Sequence, residues 1–430
     1  MPTNNSCVAV AAPVKPCTRL PAAAVAAAVL LLGACSAPAP GSPVARSEAP
    51  GTEAQSLSDG VASMTSALVA HAQLDRSEPR VLVVDPPVDR ATGDQSVTTR
   101  AVERRIVDTI GQRFPNLQPN PMTQAALATR PVVLLSCMTP VTAPGSFQPA
   151  TEGPAKVYRI WASLSDTRTD KVVSQETAWV RAEDVDTTPT AFFRDSPAWA
   201  ADRGMKAYLT VCAGKPGDAM DVAYLRGLDA SAVADAGTKA YEHGRYPEAL
   251  AAYTQASLLP GGNRMRVLNG IYLADVALGR RQAASQAFGR IVDAGLEQGT
   301  LAVKFVFRPA STQFWPDPAV SGEYPVWLRQ IAQRTAAHGS CLLVVGHTSP
   351  TGTPAANEVL SERRAQFMRE QLVRREPVLR TRTEARGRGS REPLVGTGRD
   401  DATDLLDRRV EFEPRTCTMV RAERVQALAR

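Results

Sequence analysis

The sequence has few of the residues and motifs on which metal and catalytic sites depend. Its four histidines, His71, His243, His338 and His347, are isolated residues, and no Cys-x-x-Cys pair occurs among its seven cysteines. It also contains no Gly-x-Ser-x-Gly, no His-Glu-x-x-His, no phosphate-binding loop and no dinucleotide fingerprint. We therefore predict no metal, no cofactor and no enzymatic activity. A hydrolase with dispersed acidic residues is the enzymatic alternative.

Long apolar runs are also scarce, and the run that does occur lies near the N terminus. Residues 1–34 have no acidic residue, carry Lys15 and Arg19, and are apolar from Ala22 to Leu32. This pattern is typical of a secretory signal peptide. The run is too short for a comfortable membrane span.

The end of the signal peptide resembles the lipobox of bacterial lipoproteins, in the order Leu32-Gly33-Ala34-Cys35. The resemblance implies that Cys35 carries the lipid anchor, with palmitate among its acyl chains, and that Ser36 directs the protein to the outer membrane. A plain signal peptide with an incidental cysteine is the alternative. Residues 35–60 are rich in Ala, Pro, Ser and Gly and indicate a flexible tether, and residues 61–78 indicate a helical lead-in.

Length, composition and charge indicate how many domains the chain can form and which kinds of partner it can have. The 430 residues have room for two to four domains, and 44% hydrophobic content is ordinary for globular protein. The net charge of +6 would suggest a nucleic-acid partner in a cytosolic protein, but export excludes that partner. The excess arginine lies mainly in the C-terminal part, where a solvated basic face and a face for the anionic wall are both consistent with it.

Residues 79–217 alternate strand and helix. Arg80 to Asp85 form a short apolar run, Val97 to Phe114 show helical spacing, and Val157 to Leu164 with Lys171 to Val180 predict a hairpin. A helix is expected from Ala198 to Cys212. This β-α-β-β-α order resembles the periplasmic domains of LpoB-like and CsgG-like proteins, and we expect an α/β sandwich. An unrelated α/β scaffold is the alternative.

Residues 228–297 carry a helical repeat. Gly244, Ala249 and Tyr253 recur 35 positions later as Gly279, Ala284 and Phe288, which resembles two tetratricopeptide repeats. The small residues allow close helix packing and the aromatic residues fill the space between pairs. Either a peptide-binding surface or a rigid spacer is consistent with the pattern, and two repeats are expected to lean on a neighbouring domain.

The most informative motif lies in residues 301–417. An apolar strand, Leu342 to Val345, leads into the turn from Gly346 to Gly352 and then into a helix from about Ala355 to Arg374. Asn357, Ser361 and Arg364 are spaced to share one face of that helix. Asp407 to Glu411 close the motif.

These residues resemble the OmpA-like, peptidoglycan-associated domain, whose fold is βαβαββ. The resemblance implies a site for the diaminopimelate stem peptide, in which an Asp after the His-Thr pair holds the ligand amino group and an Arg fifteen positions later holds its carboxylate. The Arg is present as Arg364, but Ser349 stands at the Asp position and Asp407 at the position of the closing Asn. The predicted wall-binding residues are Thr348, Ser349, Gly352, Asn357, Ser361, Arg364 and Arg408. A scaffold whose ligand site has decayed is the alternative.

Four further cysteines, in an oxidising compartment, predict two local disulfides, Cys137 with Cys212 and Cys341 with Cys417. Residues 418–430 are expected to form a C-terminal tail.

Together these features predict a multidomain α/β plus α lipoprotein on the periplasmic side of the outer membrane, which binds peptidoglycan noncovalently. Its first domain or its repeats would present a surface to a protein partner. The alternative is a regulatory or assembly lipoprotein for a wall synthase or secretion system, whose OmpA-like domain only localises it.

Overall fold

The computed structural model describes residues 53–74, 78–147, 155–199, 202–299, 301–308, 310–394 and 407–417. The predicted signal peptide, Cys35, most of the tether and the C-terminal tail lie outside the described residues. The described residues belong to one compact unit. Among the described helices, none has both the length and the apolar character needed to cross a membrane.

The first region is built on a mixed sheet with the strand order β3-β1-β4-β5-β6, and β2 pairs beside β4. Its elements are α1 Leu57–Ala70, β1 Arg80–Val84, β2 Val88–Asp89, α2 Val97–Arg113, β3 Leu117–Asn120, α3 Gln124–Ala128, β4 Val132–Val141, β5 Val157–Asp166, β6 Lys171–Arg181, α4 Ala191–Asp195, β7 Ala198–Trp199 and α5 Arg203–Cys212. A 3-10 turn, Ala182–Asp184, follows β6. Strands β1 to β4 pair in parallel, whereas β4, β5 and β6 are antiparallel.

Helices cover both faces of this sheet because its central strands are apolar on both sides. Helices α1 and α2 pack on one face against residues such as Leu134 and Ile160. Helix α5 packs on the other face against residues such as Leu135 and Trp161. The predicted hairpin is present as β5 and β6, and Cys137 of β4 is joined to Cys212 at the end of α5. The relation to LpoB-like and CsgG-like domains stays a prediction.

Two expected boundaries differ from the structure. Helix α1 begins at Leu57, and Gln55 pairs with Val180 of β6, so folded structure starts within the expected tether. The expected helix from Ala198 is wrong over its first two residues, since Ala198 and Trp199 form β7. This strand pairs with β8 Leu301–Val303 because the backbone donors and acceptors of that strand are otherwise unpaired at the sheet edge.

Four helices follow: α6 Val222–Glu242, α7 Tyr246–Leu258, α8 Met265–Ala277 and α9 Arg281–Gln298. Tyr253 fills the space between helices, and a Cβ at Gly270 would lie 2.4 Å from its ring, so the glycine permits the close approach. Helix α6 begins before the expected repeat and packs on α5, so the helices lean on the first region. Their assignment to the tetratricopeptide family stays a prediction.

The C-terminal region has the expected βαβαββ order. It comprises β8, a short α10 Pro318–Ser321, α11 Tyr324–Ala337, β9 Cys341–Gly346, α12 Pro354–Arg375, a 3-10 turn Pro377–Thr381, β10 Thr383–Gly387 and β11 Val410–Arg415. The sheet order is β10-β9-β11-β8-β7, with β10 parallel to β9 and the other pairs antiparallel. Cys341 is joined to Cys417. Helix α11 packs on α9, where Arg334 lies 3.0 Å from Asp293.

Candidate functional site

The candidate site lies at the carboxyl ends of β9 and β10, where α12 begins. The helix crosses these strand ends very closely: a Cβ at Gly346 would lie 2.1 Å from the carbonyl oxygen of Ser361, and one at Gly387 would lie 2.4 Å from its Oγ. Glycine is therefore required at both strand ends, since any side chain would force the helix away. Parallel pairing of β9 and β10 brings the two loops that follow them to the same edge of the sheet.

Local capping explains why the turn ends and α12 begins at Pro354. The Thr353 hydroxyl accepts a hydrogen bond from the Ala356 amide at 3.2 Å, and Pro354 occupies the first helical position. Gly352 has a φ of +94°, a backbone conformation that favours glycine. Asn357 Nδ2 donates to the Thr351 carbonyl at 3.1 Å. These contacts hold the turn against the first turn of the helix.

The three helix residues predicted to share a face do so, and that face is buried. Ser361 Oγ donates to the Glu358 carbonyl at 2.8 Å and accepts from the Gly389 amide at 2.9 Å, which ties the loop after β10 to the helix. Asn357 and Arg364 are buried on the same side. Asn357 and Ser361 therefore hold the adjoining loops in place. Arg364 is the positively charged residue of this face.

Arg364 is covered by the segment that follows β8. Its Nε donates to the Ser311 carbonyl at 3.1 Å and its Nη2 to the Arg308 carbonyl at 3.4 Å. The guanidinium carbon lies 4.9 Å from the centre of the Phe307 ring. Only 3% of the residue is exposed. The sequence motif did not reveal this cover because Ser311 lies 53 positions before Arg364.

The predicted turn residues lie on the other side of the loop after β10. The Thr348 amide donates to the Gly389 carbonyl at 2.9 Å, and Thr348 Oγ1 has no hydrogen-bond partner among the described residues. Ser349 is buried beside it. Arg408 is half-buried in the closing motif. Asp407, which stands where the family has Asn, accepts from the Leu394 amide at 2.6 Å and so holds the end of the same loop.

A buried charged cluster supports the base of the turn. Arg409 Nε donates to Glu411 Oε1 at 2.6 Å, and His347 Nε2 lies 3.8 Å from Glu411 Oε2. Burial raises the pKa of Glu411, but His347 and Arg409 more than offset that effect and lower the pKa to about 2. His347 and Arg409 therefore both lie against the Glu411 carboxylate at the base of the turn.

The C-terminal geometry agrees with the comparison with known families, in which residues 320–404 match the OmpA family. The C-terminal region is an OmpA-like domain. A comparison with curated proteins finds no match.

The chain also aligns with solved structures, each over a small part of its length. The peptidoglycan-associated lipoprotein from Burkholderia pseudomallei is 26% identical, covering 26% of this chain and 89% of that chain, with a TM-score of 0.22. The cell wall anchor of the T6SS from Pseudomonas aeruginosa is 26% identical, and the alignment covers 26% of this chain and 78% of that chain, with a TM-score of 0.21. The periplasmic domain of Helicobacter pylori MotB is 14% identical, and the alignment covers 30% of this chain and 83% of that chain, with a TM-score of 0.23.

Proposed function

We propose that this protein is a cell-envelope lipoprotein that binds peptidoglycan noncovalently through its OmpA-like domain, and that it acts as a binding protein and not as an enzyme. The observation that carries the proposal is the OmpA family match over residues 320–404, with Arg364 buried on α12. In this family the equivalent Arg holds the carboxylate of the stem peptide. Cys35 would supply the anchor to the outer membrane, and the tether would let the folded unit reach the wall.

Arg364 suits a carboxylate ligand because its hydrogen bonds to Ser311 and Arg308 go to oxygen acceptors. The neutral carbonyls of Ser311 and Arg308 occupy positions that a carboxylate can take. A charge-assisted, bidentate pair with a carboxylate is roughly twice as strong as a neutral hydrogen bond. Binding would therefore exchange the segment for the ligand, and the cost of displacing the segment would lower the affinity.

Ser349 determines how the ligand ammonium is held. A hydroxyl offers a neutral acceptor where the family has a carboxylate, so the ammonium would gain a weaker hydrogen bond. The wild-type domain is therefore expected to bind the wall weakly, and a carboxylate at this position should strengthen binding.

The test is sedimentation of the purified protein with peptidoglycan. Arg364→Ala should greatly reduce the pelleted fraction, and Ser349→Asp should increase it. Arg374→Ala is the matched control, because it removes the same charge from the same helix. The side chain of Arg374 is 70% exposed. Circular dichroism of each variant separates loss of binding from loss of folding.

Two outcomes contradict the proposal. If wild type, Arg364→Ala, Ser349→Asp and Arg374→Ala all pellet equally and raised salt abolishes pelleting, the binding is nonspecific attraction of a basic domain to an anionic polymer. If none of them pellets, the domain does not bind the wall.

The cover over Arg364 also favours a second candidate function. In this domain Arg364 is already bonded to its own chain, and Ser349 stands where the family has an acidic residue. Both features are consistent with a regulatory or assembly lipoprotein for a wall synthase or secretion system. In that function the first region or the helices α6 to α9 would contact the protein partner. Crosslinking in cells would then capture the same partner with wild type and with Arg364→Ala.

A further inference from the structure

A cavity lies where the first region meets the helices that follow it. The volume of the cavity, measured as the space open to the centre of a water molecule, is about 80 Å³. The loop around β2, the segment between α4 and α5, and the start of α8 form its walls. It is separate from the Arg364 site, since none of its lining residues belongs to the OmpA-like domain's turn or to α12.

Three polar atoms of the lining residues are buried without a hydrogen-bond partner in the part of the chain that the structure describes. They are Asp94 Oδ2, Asn269 Oδ1 and Arg266 Nε. Each such atom destabilises the folded protein unless a partner reaches it. Two of them are acceptors and one is a donor, so a complementary molecule must both donate and accept.

Hydrogen bonds to neighbouring residues fix two of these side chains. Asn269 is 4% exposed, and its Nδ2 donates to the Ala198 carbonyl at 2.8 Å, which determines which atom of the amide is left as an acceptor. Arg266 Nη2 donates to Thr238 Oγ1 at 3.0 Å and to Asp235 Oδ1 at 3.3 Å. The unpartnered Nε is therefore held by a guanidinium that is anchored at its other end.

Asp94 gives the cavity its acidic end. Burial raises the pKa of Asp94 to about 7, with Lys304 opposing this effect and Asp89 adding to it. A ligand cation beside Oδ2 would keep the carboxylate ionised. Arg266 offers the opposite charge among the same lining residues.

The charges and the size together define a ligand class. A single water needs roughly 10 to 15 Å³ of this kind of space, so the cavity has room for a molecule of about five to eight non-hydrogen atoms. We propose that the cavity binds a small free amino acid, whose ammonium donates to Asp94 and Asn269 and whose carboxylate accepts from Arg266. Phe193, Trp199 and Met205 also line the cavity and limit the ligand side chain to the smallest ones.

The cavity also adjoins the connection between the first region and the OmpA-like domain. Trp199 lines it and pairs with Ala302 of β8, and Ala198, which accepts from Asn269, pairs with Val303. A bound amino acid would therefore strengthen the junction, and it should raise the thermal unfolding midpoint.

The experiment is isothermal titration calorimetry of the mature chain with glycine, L-alanine, D-alanine, serine and tryptophan, together with methylamine and propionate. We expect the small amino acids to bind, and tryptophan, methylamine and propionate to bind at least tenfold more weakly. Asp94→Asn keeps the side-chain shape and should lower the affinity at least tenfold. Asp108→Asn is the matched control, an exposed acid on α2.

Three results would overturn the proposal. They are failure of every small amino acid to bind the wild-type chain, equal affinity of wild type and Asp94→Asn, and a crystal structure grown with the amino acid in which water alone occupies the cavity. Asn269→Leu provides a second variant that leaves the charges unchanged, and it should weaken binding in the same direction.

Discussion

Asp85 provides the most quantitative prediction, because its carboxyl is buried at the junction of the first region and α6. Its Oδ2 accepts from the hydroxyl of Tyr224 at 2.8 Å. Burial raises the pKa of Asp85 from 3.8 to about 6, and the hydrogen bond from Tyr224 with the charges of Arg266 and Arg264 offsets only part of this effect. The folded protein therefore holds this proton more tightly than the unfolded chain does.

The sign of the pH effect follows from that difference. Since the folded pKa lies above the unfolded one, the free energy of unfolding falls as the pH rises from about 4 to about 6. A shift of about 2 pKa units corresponds to about 3 kcal/mol, and roughly 2 to 3 kcal/mol of it should appear between pH 4 and pH 8. Asp85→Asn removes the titration and keeps an acceptor for Tyr224.

The assay is urea unfolding of wild type and Asp85→Asn at pH 4 and at pH 8. The variant should gain roughly 2 to 3 kcal/mol relative to wild type on going from pH 4 to pH 8. Asp229→Asn, an exposed acid on the same helix as Tyr224, is the control and should show no such gain. A difference between variant and wild type that is the same at both pH values would refute the reasoning, as would a carboxyl pKa near 4 for Asp85 by NMR.

The other predictions concern the anchor, a disulfide and a close contact. Cys35→Ser should abolish membrane fractionation, and a variant that stays in the detergent-soluble membrane fraction would contradict the lipid anchor. Non-reduced digests should contain a peptide in which a disulfide joins Cys341 to Cys417, and free thiols at both positions would contradict the pair. Removal of this disulfide should lower the free energy of unfolding by about 2 to 4 kcal/mol. Gly346→Ala should cost about 3 kcal/mol in urea unfolding, because its Cβ would lie 2.1 Å from the Ser361 carbonyl oxygen, whereas Gly111→Ala, with open space at its Cβ, should be neutral or stabilising.

Local patterns were sufficient for β9 and α12 of the OmpA-like domain. The apolar run before Gly346 predicted β9, and the spacing of Asn357, Ser361 and Arg364 predicted the shared face of α12, which the structure buries. Both signals depend on residues within a few positions of one another, so they can be recognised without knowing the fold. The βαβαββ order, which the family resemblance implied, is also confirmed.

Contacts between distant parts of the chain were not predictable in the same way. The segment that covers Arg364 and the pairing of β7 with β8 join residues that are far apart in sequence. Ala198 and Trp199 were expected in a helix because the residues after them have helical spacing, and a strand of only two residues gives no pattern of its own. A strand that short is stable only when it pairs with another strand.

The sequence by itself therefore determined strand β9, the turn that follows it and the shared face of α12, because apolar runs, turn residues and helical spacing act within a few positions of the chain. The tertiary structure alone decided that Arg364 bonds to the carbonyls of Ser311 and Arg308, that Asp94, Asn269 and Arg266 line one cavity, and that β7 extends the C-terminal sheet. Each of these depends on how separate elements pack, and packing brings together groups whose positions along the chain are unrelated.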